Sequence, residues 1–566
     1  MKNSRILITA LIGLISLSAS AENPLKLEIT GITGAAEKNI ESQLDVASIL
    51  DHSQENIAQF YTEAPNEIQT ALQPFGYFKA NIKPTGLVYK NNQWIMKFHV
   101  TPGPRLLISD LDIKISGDAA NDLMFKKILA NFPVRRNQAF SINRYHDAKK
   151  NLLNTALAQG YFDAKITTQQ IIINLQQYTA RIVLHFDSGI HYKFGDIFFN
   201  DNPYASNFLK RYAPFTSNEY YSAAKIQDFQ QALSSSDYFK EVMIDPDEEH
   251  KTATTVPINV HVMPLPAKQY SLGLGYGTDT GPRALVNYEL RRITPYGQRF
   301  KAQLEASPIL TNLQANYYIP GKNPATEKYV FTAATQQEFF PLGKGNLAKI
   351  AASYVSTMNK WQRIISLTLQ RENWTLQNQP YQTQYMLIPS INWQRTSQDN
   401  PLHPSRGYRI NFGALASPGI FGSAAFVQTQ FNAKAIYPIL EKNRLVTRIN
   451  LGYTAINHIN QMPLSLQFLA GGSDSIRGYK FNSIGPGSKL AVGSVEYRQH
   501  IKGDWYGAAF FDAGNVSNGI LNKVNKGVGL GALWQSPVGT LALTLAKALD
   551  LPGQPLAVQF SMGADL

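Results

Sequence analysis

The sequence predicts three small α+β domains followed by a 16-stranded antiparallel transmembrane β-barrel. Three observations support this fold class. A Gly-Tyr-Phe-type motif recurs at near-equal spacing in the first half of the chain, and short segments of alternating hydrophobicity fill the second half. The chain also begins with a segment typical of an export signal.

Residues 1–21 have the layout of a cleaved signal peptide. Lys2 and Arg5 supply positive charge, an apolar core follows, and Ala19-Ser20-Ala21 matches the small-x-small cleavage pattern. We expect the mature chain to begin at Glu22. After this segment the sequence has no run of about 18 apolar residues, so we expect no transmembrane helix in the mature chain. A closed barrel is the other way to satisfy the backbone in lipid.

Composition agrees with an exported barrel but does not prove one. Charged residues make up only 16% of the chain, and there are 28 Tyr and 29 Phe, as expected for aromatic girdles at membrane interfaces. A large soluble β-protein fits equally well. The absence of cysteine excludes disulfides and cysteine metal sites. The net charge of +13 favours either anionic lipid headgroups, an acidic protein, or a diffuse solubilising role.

The first half contains three copies of one motif. Residues 75–82, 159–166 and, more weakly, 236–244 share an aromatic pair followed by a strand-like stretch, with Tyr-to-Tyr spacings of 84 and 77 residues. A helix-like stretch precedes each copy. The predicted unit is strand, helices, turn and two strands, of a size that can bury its own core. We assign these domains to residues 22–100, 101–187 and 188–264.

A barrel is predicted for residues 265–566. Helical periodicity ends near Pro264, and from Tyr270 onward apolar residues alternate with small or polar ones, as in the final segment Leu556 to Gly563. About 16 such segments lie between Tyr270 and Gly563.

One long connection, roughly Ile456 to Ser488, carries a motif instead of alternation. It contains Gly471-Gly472-Ser473-Asp474-Ser475-Ile476-Arg477-Gly478-Tyr479 and joins the eleventh and twelfth predicted strands. Ser494 to Arg498 lies on the next strand, and Phe510-Phe511-Asp512-Ala513-Gly514-Asn515 on the one after it. This combination resembles the outer-membrane assembly-factor superfamily, whose barrels carry POTRA domains. A lone Arg-Gly-Tyr is weak, because Arg406-Gly407-Tyr408 occurs in the same chain.

The resemblance implies specific roles for these residues. The motif Ile476, Arg477, Gly478 and Tyr479 would fold into the lumen, where Arg477 would pair with Asp512, and Glu496 is a second candidate acid. A guanidinium fork suits carboxylates, and removal of one partner would leave a buried charge. The alternative is that Arg477 is an ordinary loop charge and Asp512 an ordinary lumen residue.

In the family, the first and last barrel strands form a seam that opens laterally. Glycines weaken the first strand and Pro555 precedes the last, which favours a weak seam here as well. Alternatively, the glycines only fit a crowded lumen. The candidate seam residues are Tyr270, Gly273, Gly275, Gly277, Leu556, Phe560 and Gly563.

Three domains before a barrel of about 300 residues resemble the TamA branch of this superfamily, the outer-membrane subunit of the translocation and assembly module. That resemblance implies insertion of outer-membrane proteins such as autotransporters, a TamB-like periplasm-spanning partner, contact with membrane lipids, and N-terminal domains in the periplasm. The alternative is a passive two-partner-type secretion pore or a lipid-traffic channel. No hydrolase, metalloprotease or phosphate-binding motif is found, so we expect no catalysis, no cofactor, no metal and no nucleic-acid partner.

Overall fold

The computed structural model describes residues 25–44, 53–376, 379–519, 523–537 and 539–563. The predicted signal peptide lies outside these ranges. None of the helices within them is long and apolar enough to cross a membrane. The first two small domains fall in one compact unit, and the barrel with most of the third domain falls in another.

The first small domain is a three-stranded sheet covered by two helices. Its sheet has the order β1-β3-β2, with β1 parallel to β3 and β2 antiparallel to it. Apolar side chains of both helices and of the central strand form a closed core, including Ile40, Ile68 and Phe98. The elements are β1 (Leu25–Thr30), α1 (Ala35–Gln43), α2 (Gln54–Leu72), β2 (Asn81–Lys90) and β3 (Gln93–Thr101).

The second and third domains repeat this topology, with sheet orders β4-β6-β5 and β7-β9-β8. The prediction of three α+β repeats is therefore confirmed. The elements of the second are β4 (Leu107–Ser116), α3 (Leu123–Ala130), α4 (Ile142–Ala158), β5 (Lys165–Asn174) and β6 (Thr179–Asp187); those of the third are β7 (Lys193–Phe199), α5 (Ser206–Leu209), α6 (Ala223–Ser234), β8 (Phe239–Pro246) and β9 (Thr255–Pro264).

The recurring motif is a helix stop. Gly76 and Gly160 follow α2 and α4 with φ of 88° and 87°, in the left-handed region that glycine adopts without a Cβ penalty. The next residue then bonds back to the helix, as the N–H of Tyr161 does to the Ala156 carbonyl at 2.9 Å. In the weaker third copy, Asp237 takes this position with φ of 62°.

The second half forms a single sheet of 16 antiparallel strands, which confirms the predicted number. Two further short strands, β21 (Phe468–Ala470) and β22 (Ile484–Gly487), form a separate hairpin. The sheet consists of β10 (Lys268–Gly277), β11 (Gly281–Leu290), β12 (Arg299–Ala306), β13 (Leu310–Pro320), β14 (Glu327–Phe340), β15 (Gly343–Met358), β16 (Trp361–Leu376), β17 (Gln382–Gln398), β18 (Gly407–Pro418), β19 (Ala425–Ile439), β20 (Asn443–Ile456), β23 (Lys489–Lys502), β24 (Trp505–Ser517), β25 (Asn525–Ser536), β26 (Gly539–Ala548) and β27 (Leu556–Gly563).

The two faces of the sheet differ as the alternation predicts. On β16, Leu367 and Leu369 point outward and are exposed, whereas Gln370 and Glu372 point into the lumen and are buried. An apolar outer face and a polar inner face are the pattern of a membrane barrel.

The third domain packs directly against a turn of the barrel, residues 291–298 between β11 and β12. The Tyr238 hydroxyl donates to the Gly297 carbonyl at 2.5 Å, and the Ala205 N–H donates to the Pro295 carbonyl at 2.9 Å. Gly297 has a φ of 76°, and a Cβ there would lie 2.2 Å from the Phe208 ring. The turn therefore needs glycine both for its conformation and for this close approach.

Candidate functional site

The connection between β20 and β23, residues 457–488, folds into the lumen; we call it the lumen loop. It begins with two 3-10 turns, Ile459–Gln461 and Leu464–Leu466, and then forms the β21–β22 hairpin around the predicted motif. Gly471, Gly472 and Gly478 all have φ near +100°, which lets the loop turn sharply.

Arg477 is held by Asp512 on β24. Its Nε and Nη2 each donate to one carboxylate oxygen at 2.8 Å, and its backbone N–H adds a third bond at 3.0 Å. Asp512 is fully buried and Arg477 is 7% exposed. This two-pronged geometry fixes both the charge and the direction of the guanidinium.

Glu496 on β23 is the second buried carboxylate that Arg477 contacts. It accepts from Arg477 Nη1 and, at 2.7 Å, from Arg498 Nε. Two guanidinium groups, those of Arg477 and Arg498, are therefore hydrogen-bonded to two buried carboxylates. Ser494 Oγ accepts from Arg477 Nη2 at 3.2 Å, and the Arg477 guanidinium lies 3.4 Å from the centre of the Phe510 ring. The ring covers a face of the cation that no carboxylate reaches.

The other motif residues fix the backbone around Arg477. Ile476 and Tyr479 are buried in an apolar cluster with β23, β24 and β26. A Cβ on Gly478 would lie 2.9 Å from the Ala548 backbone nitrogen, and one on Gly527 would lie 2.1 Å from the Arg477 carbonyl oxygen. Both glycines are required for the loop to approach the wall this closely.

The lumen loop has a second anchor on the opposite part of the wall. Glu372 on β16 is 1% exposed and accepts from the Ser465 N–H at 3.0 Å and from the Ser465 hydroxyl. On β19, Gln428 Nε2 donates to the Leu466 carbonyl at 2.8 Å. The loop thus crosses the lumen from the β16–β19 side to the β23–β27 side.

The first and last strands meet over a short distance. In the described part of the chain, β10 and β27 share no continuous ladder. Thr278, just after β10, donates its N–H to the Phe560 carbonyl at 3.2 Å, and its hydroxyl accepts from the Phe560 N–H at 3.1 Å. Arg283 adds one bond to the Met562 carbonyl at 3.3 Å.

The predicted seam residues lie along these two edges. Tyr270 and Leu556 are outward and largely exposed, and the Tyr276 and Phe560 rings lie 6.4 Å apart. The β10 glycines face inward: a Cβ on Gly275 would lie 2.9 Å from Arg283 Nε. A side chain at Gly275 would therefore require Arg283 to shift. A Cβ on Gly273 or Gly277 would have more room, and one on Gly563 would have no atom within 4 Å.

Several site residues were not predicted. Ser494 and Phe510 lie two residues from Glu496 and Asp512, so alternation along the strand would have placed them on the same face. Gly527 and Glu372 carry no comparable signal, because the path of the loop decides which wall residues it meets. The site therefore combines a loop that is anchored inside the barrel with an edge of the barrel wall that is only weakly joined.

Comparison with known proteins gives the family. A family model described as the Omp85 superfamily domain matches residues 267–565. A model described as POTRA domain TamA domain 1 matches residues 26–102, and one described as a surface antigen variable number repeat, also a POTRA type, matches 111–189 and 192–264.

Individual relatives are distant. The outer membrane protein assembly factor BamA of Neisseria meningitidis is 21% identical over 479 residues, which is 77% of this chain and 59% of that protein. BamA of Neorickettsia risticii is 20% identical over 382 residues, 60% of this chain and 50% of that protein. The chain thus spans about half the length of the curated relatives it matches.

A solved structure shares the fold. BamA from Haemophilus ducreyi lacking POTRA domains 1–3 superposes with a TM-score of 0.69 at 16% identity, covering 81% of this chain and 99% of that chain. The Omp85 match extends over more than half of the sequence and covers all the described strands of the barrel. The chain belongs to the Omp85 superfamily.

Proposed function

We propose that this protein is a non-enzymatic outer-membrane assembly factor. It inserts the barrels of client outer-membrane proteins, autotransporters among them, and holds its three small domains in the periplasm. The weak joint between β10 and β27 is the main support for this proposal. An unpaired strand edge is a template for another strand, and a barrel has such an edge only where its closure is incomplete.

The three N-terminal small domains, which we call the arm, favour the TamA branch of the superfamily. The arm has three domains, and the first is matched by a model described as TamA domain 1. We therefore propose a TamB-like periplasm-spanning partner. The partner is tested by purification from native outer membranes: recovery of a large β-rich protein anchored in the inner membrane supports the assignment, and recovery of a secreted substrate alone contradicts it.

Locking the seam tests the function. The chain has no cysteine, so cysteines introduced for Thr278 and Phe560 would form the sole disulfide. We expect client assembly to stop under oxidising conditions and to recover after reduction, because strand addition needs a free edge.

The matched control is a cysteine pair at Ala284 and Ala306, which face each other on the regular β11–β12 ladder. This pair should leave assembly unchanged. Continued assembly with the seam locked would instead favour a passive pore or a lipid channel, for which purified protein should show steady conductance or lipid transfer.

A further inference from the structure

The lumen loop touches both edges of the seam. The Ser473 N–H donates at 2.6 Å to Oδ2 of Asp279, which lies in the turn between β10 and β11. The Gly478 N–H donates at 3.3 Å to Oε1 of Gln559 on β27. A segment of six residues therefore joins the first hairpin of the barrel to its last strand.

The contact with Asp279 is close and depends on a glycine. Gly472 has a φ of 101°, and a Cβ there would lie 2.9 Å from Asp279 Oδ2. The bond runs from a backbone N–H to a carboxylate, and such charge-assisted bonds are shorter and stronger than neutral ones. The contact with Gln559 is sheltered, since Gln559 is 5% exposed and Gly478 is buried.

Arg477 lies between these two contacts and is fixed to β23 and β24. The segment therefore cannot follow an edge that moves away. Among the described residues, the hydrogen bonds that join the edges directly are those between Thr278 and Phe560 and the one from Arg283. The loop adds an indirect link through a rigid intermediate.

We propose that Asp279 and Gln559 are positioning residues through which the lumen loop ties the two edges of the seam together and keeps it closed. The purpose of this latch rests on the proposed function, because an incoming strand needs both edges to separate. The mechanical link between the two edges is independent of the proposed function.

Hydrogen exchange in the purified full-length protein tests the latch. The amides of Thr278 and Phe560 each bond across the seam, so their exchange rates report its opening. Asp279→Ala should raise both rates about 2- to 10-fold, because two contacts in series resist opening only as much as the weaker one, the neutral bond to Gln559, does. The Arg477 amide, which bonds to Asp512, should stay protected, whereas general loosening of the loop would expose it.

Two variants serve as controls. Asp279→Asn retains an oxygen acceptor and should keep exchange near the native rate. Asp550→Ala removes an aspartate that accepts the Lys526 N–H at 2.7 Å, a bond of the same kind within one side of the seam. It should leave the Thr278 and Phe560 rates unchanged.

The latch also predicts a particular combination of effects. The two loop contacts act in series, so loss of either one cuts the link. Gln559→Leu should therefore accelerate exchange as well, and the double variant with Asp279→Ala should exchange no faster than the faster single variant. Two independent contacts would multiply their effects instead.

Native exchange rates in Asp279→Ala, or multiplied rates in the double variant, would overturn the latch. Client assembly is measured separately. If accelerated exchange is found while assembly proves independent of the seam, the latch stands and the proposed route for clients fails.

Discussion

Arg477 is the residue on which the lumen loop depends most. Asp512 is fully buried and Glu496 is 7% exposed, so neither carboxylate can be satisfied by bulk water. Burial of such charges is costly unless each is paired and hydrogen-bonded. Loss of the guanidinium would leave these acids with only Arg498 as a hydrogen-bonded cation in the described network.

Arg477→Ala should lower the stability of the barrel by about 3–5 kcal/mol, because it leaves buried charge uncompensated. Arg477→Lys should recover only part of this, since a lysine cannot make the two parallel bonds to Asp512. Urea unfolding followed by gel mobility measures both. Arg406→Ala, in the exposed second Arg-Gly-Tyr, is the control. Equal urea midpoints of unfolding for Arg406→Ala and Arg477→Ala would contradict the prediction.

A second residue-scale feature lies in the N-terminal arm of three small domains. The His191 ring is stacked between Tyr161 and Tyr220, with centroid distances of 4.4 and 4.2 Å. Its Nε2 is buried and lacks a hydrogen-bond partner among the described residues. Burial lowers the pKa of His191 below its ordinary value of 6.5. The folded arm therefore holds this imidazole neutral.

This pKa shift predicts that the arm loosens in acid. Below about pH 6.5 the unfolded chain takes up a proton on His191 more readily than the folded chain, so stability falls as pH falls. Exchange of the Tyr192 amide, which bonds to the Gly160 carbonyl, measures this after correction for intrinsic rates. His191→Phe keeps the stack and should flatten the pH dependence; an unchanged dependence would rule out His191 as its source.

Residue-level prediction from sequence reaches furthest where a motif or the spacing along one strand carries the information. Arg477, Asp512 and Glu496 were singled out through their motifs, and alternation extends the same face to Ser494. Asp279 and Glu372 were out of reach, because they lie 194 and 93 residues from their loop partners and belong to no motif.

At the scale of elements, the lumen loop and β25 are fitted to each other. The loop passes so close to β25 that the Arg477 carbonyl oxygen occupies the space of a Gly527 side chain. Backbone cannot yield as a flexible side chain can, so even one methyl group there would force the loop away.

Gly527→Ala should displace the loop and expose the bond after Arg477 to trypsin, at a cost of about 1–3 kcal/mol. Mass spectrometry of the fragments detects that cleavage. Gly493→Ala on β23 adds the same methyl group where no atom lies within 4 Å, and it should stay resistant. Resistance of both variants would show that the loop tolerates the added methyl group.

The element-level predictions were accurate where local chemistry determines the structure. The repeat is predicted from the recurring Gly-Tyr-Phe motif, which is local in sequence. In the weak third copy, Asp237 adopts the left-handed backbone conformation that Gly76 and Gly160 have in the other two. The β21–β22 hairpin was not predicted, because it pairs segments of three and four residues within a loop.

At the scale of the whole molecule, the third domain and the barrel are joined through the turn at Gly297. Hydrogen bonds from Tyr238 and Ala205 and the packing of Phe208 all converge there. The number of strands was predictable from alternation. This junction was not, since it depends on contacts between the third α+β domain and a turn more than 50 residues away in sequence.

Gly297→Ala should loosen that junction. The substitution combines a left-handed backbone, which costs about 1–2 kcal/mol in any residue but glycine, with an overlap with Phe208. The hydrogen-exchange rate of the Ala205 amide, which bonds to the Pro295 carbonyl, should rise. Gly503→Ala adds a methyl group in another turn that has a left-handed backbone but no atom within 4 Å, so it is the control for a glycine replacement without an overlap. Equal exchange at Ala205 in both variants would contradict the role of Phe208.

The partners of the lumen loop also determine when it can form. Its contacts reach residues of the first hairpin, the seventh strand, the thirteenth strand and the sixteenth strand. Contacts between distant parts of a chain form late in folding, because each requires a long segment to be ordered first. The loop can complete its docking only after the first and last strands have both been made. Completion of its docking therefore marks the end of the protein's own folding.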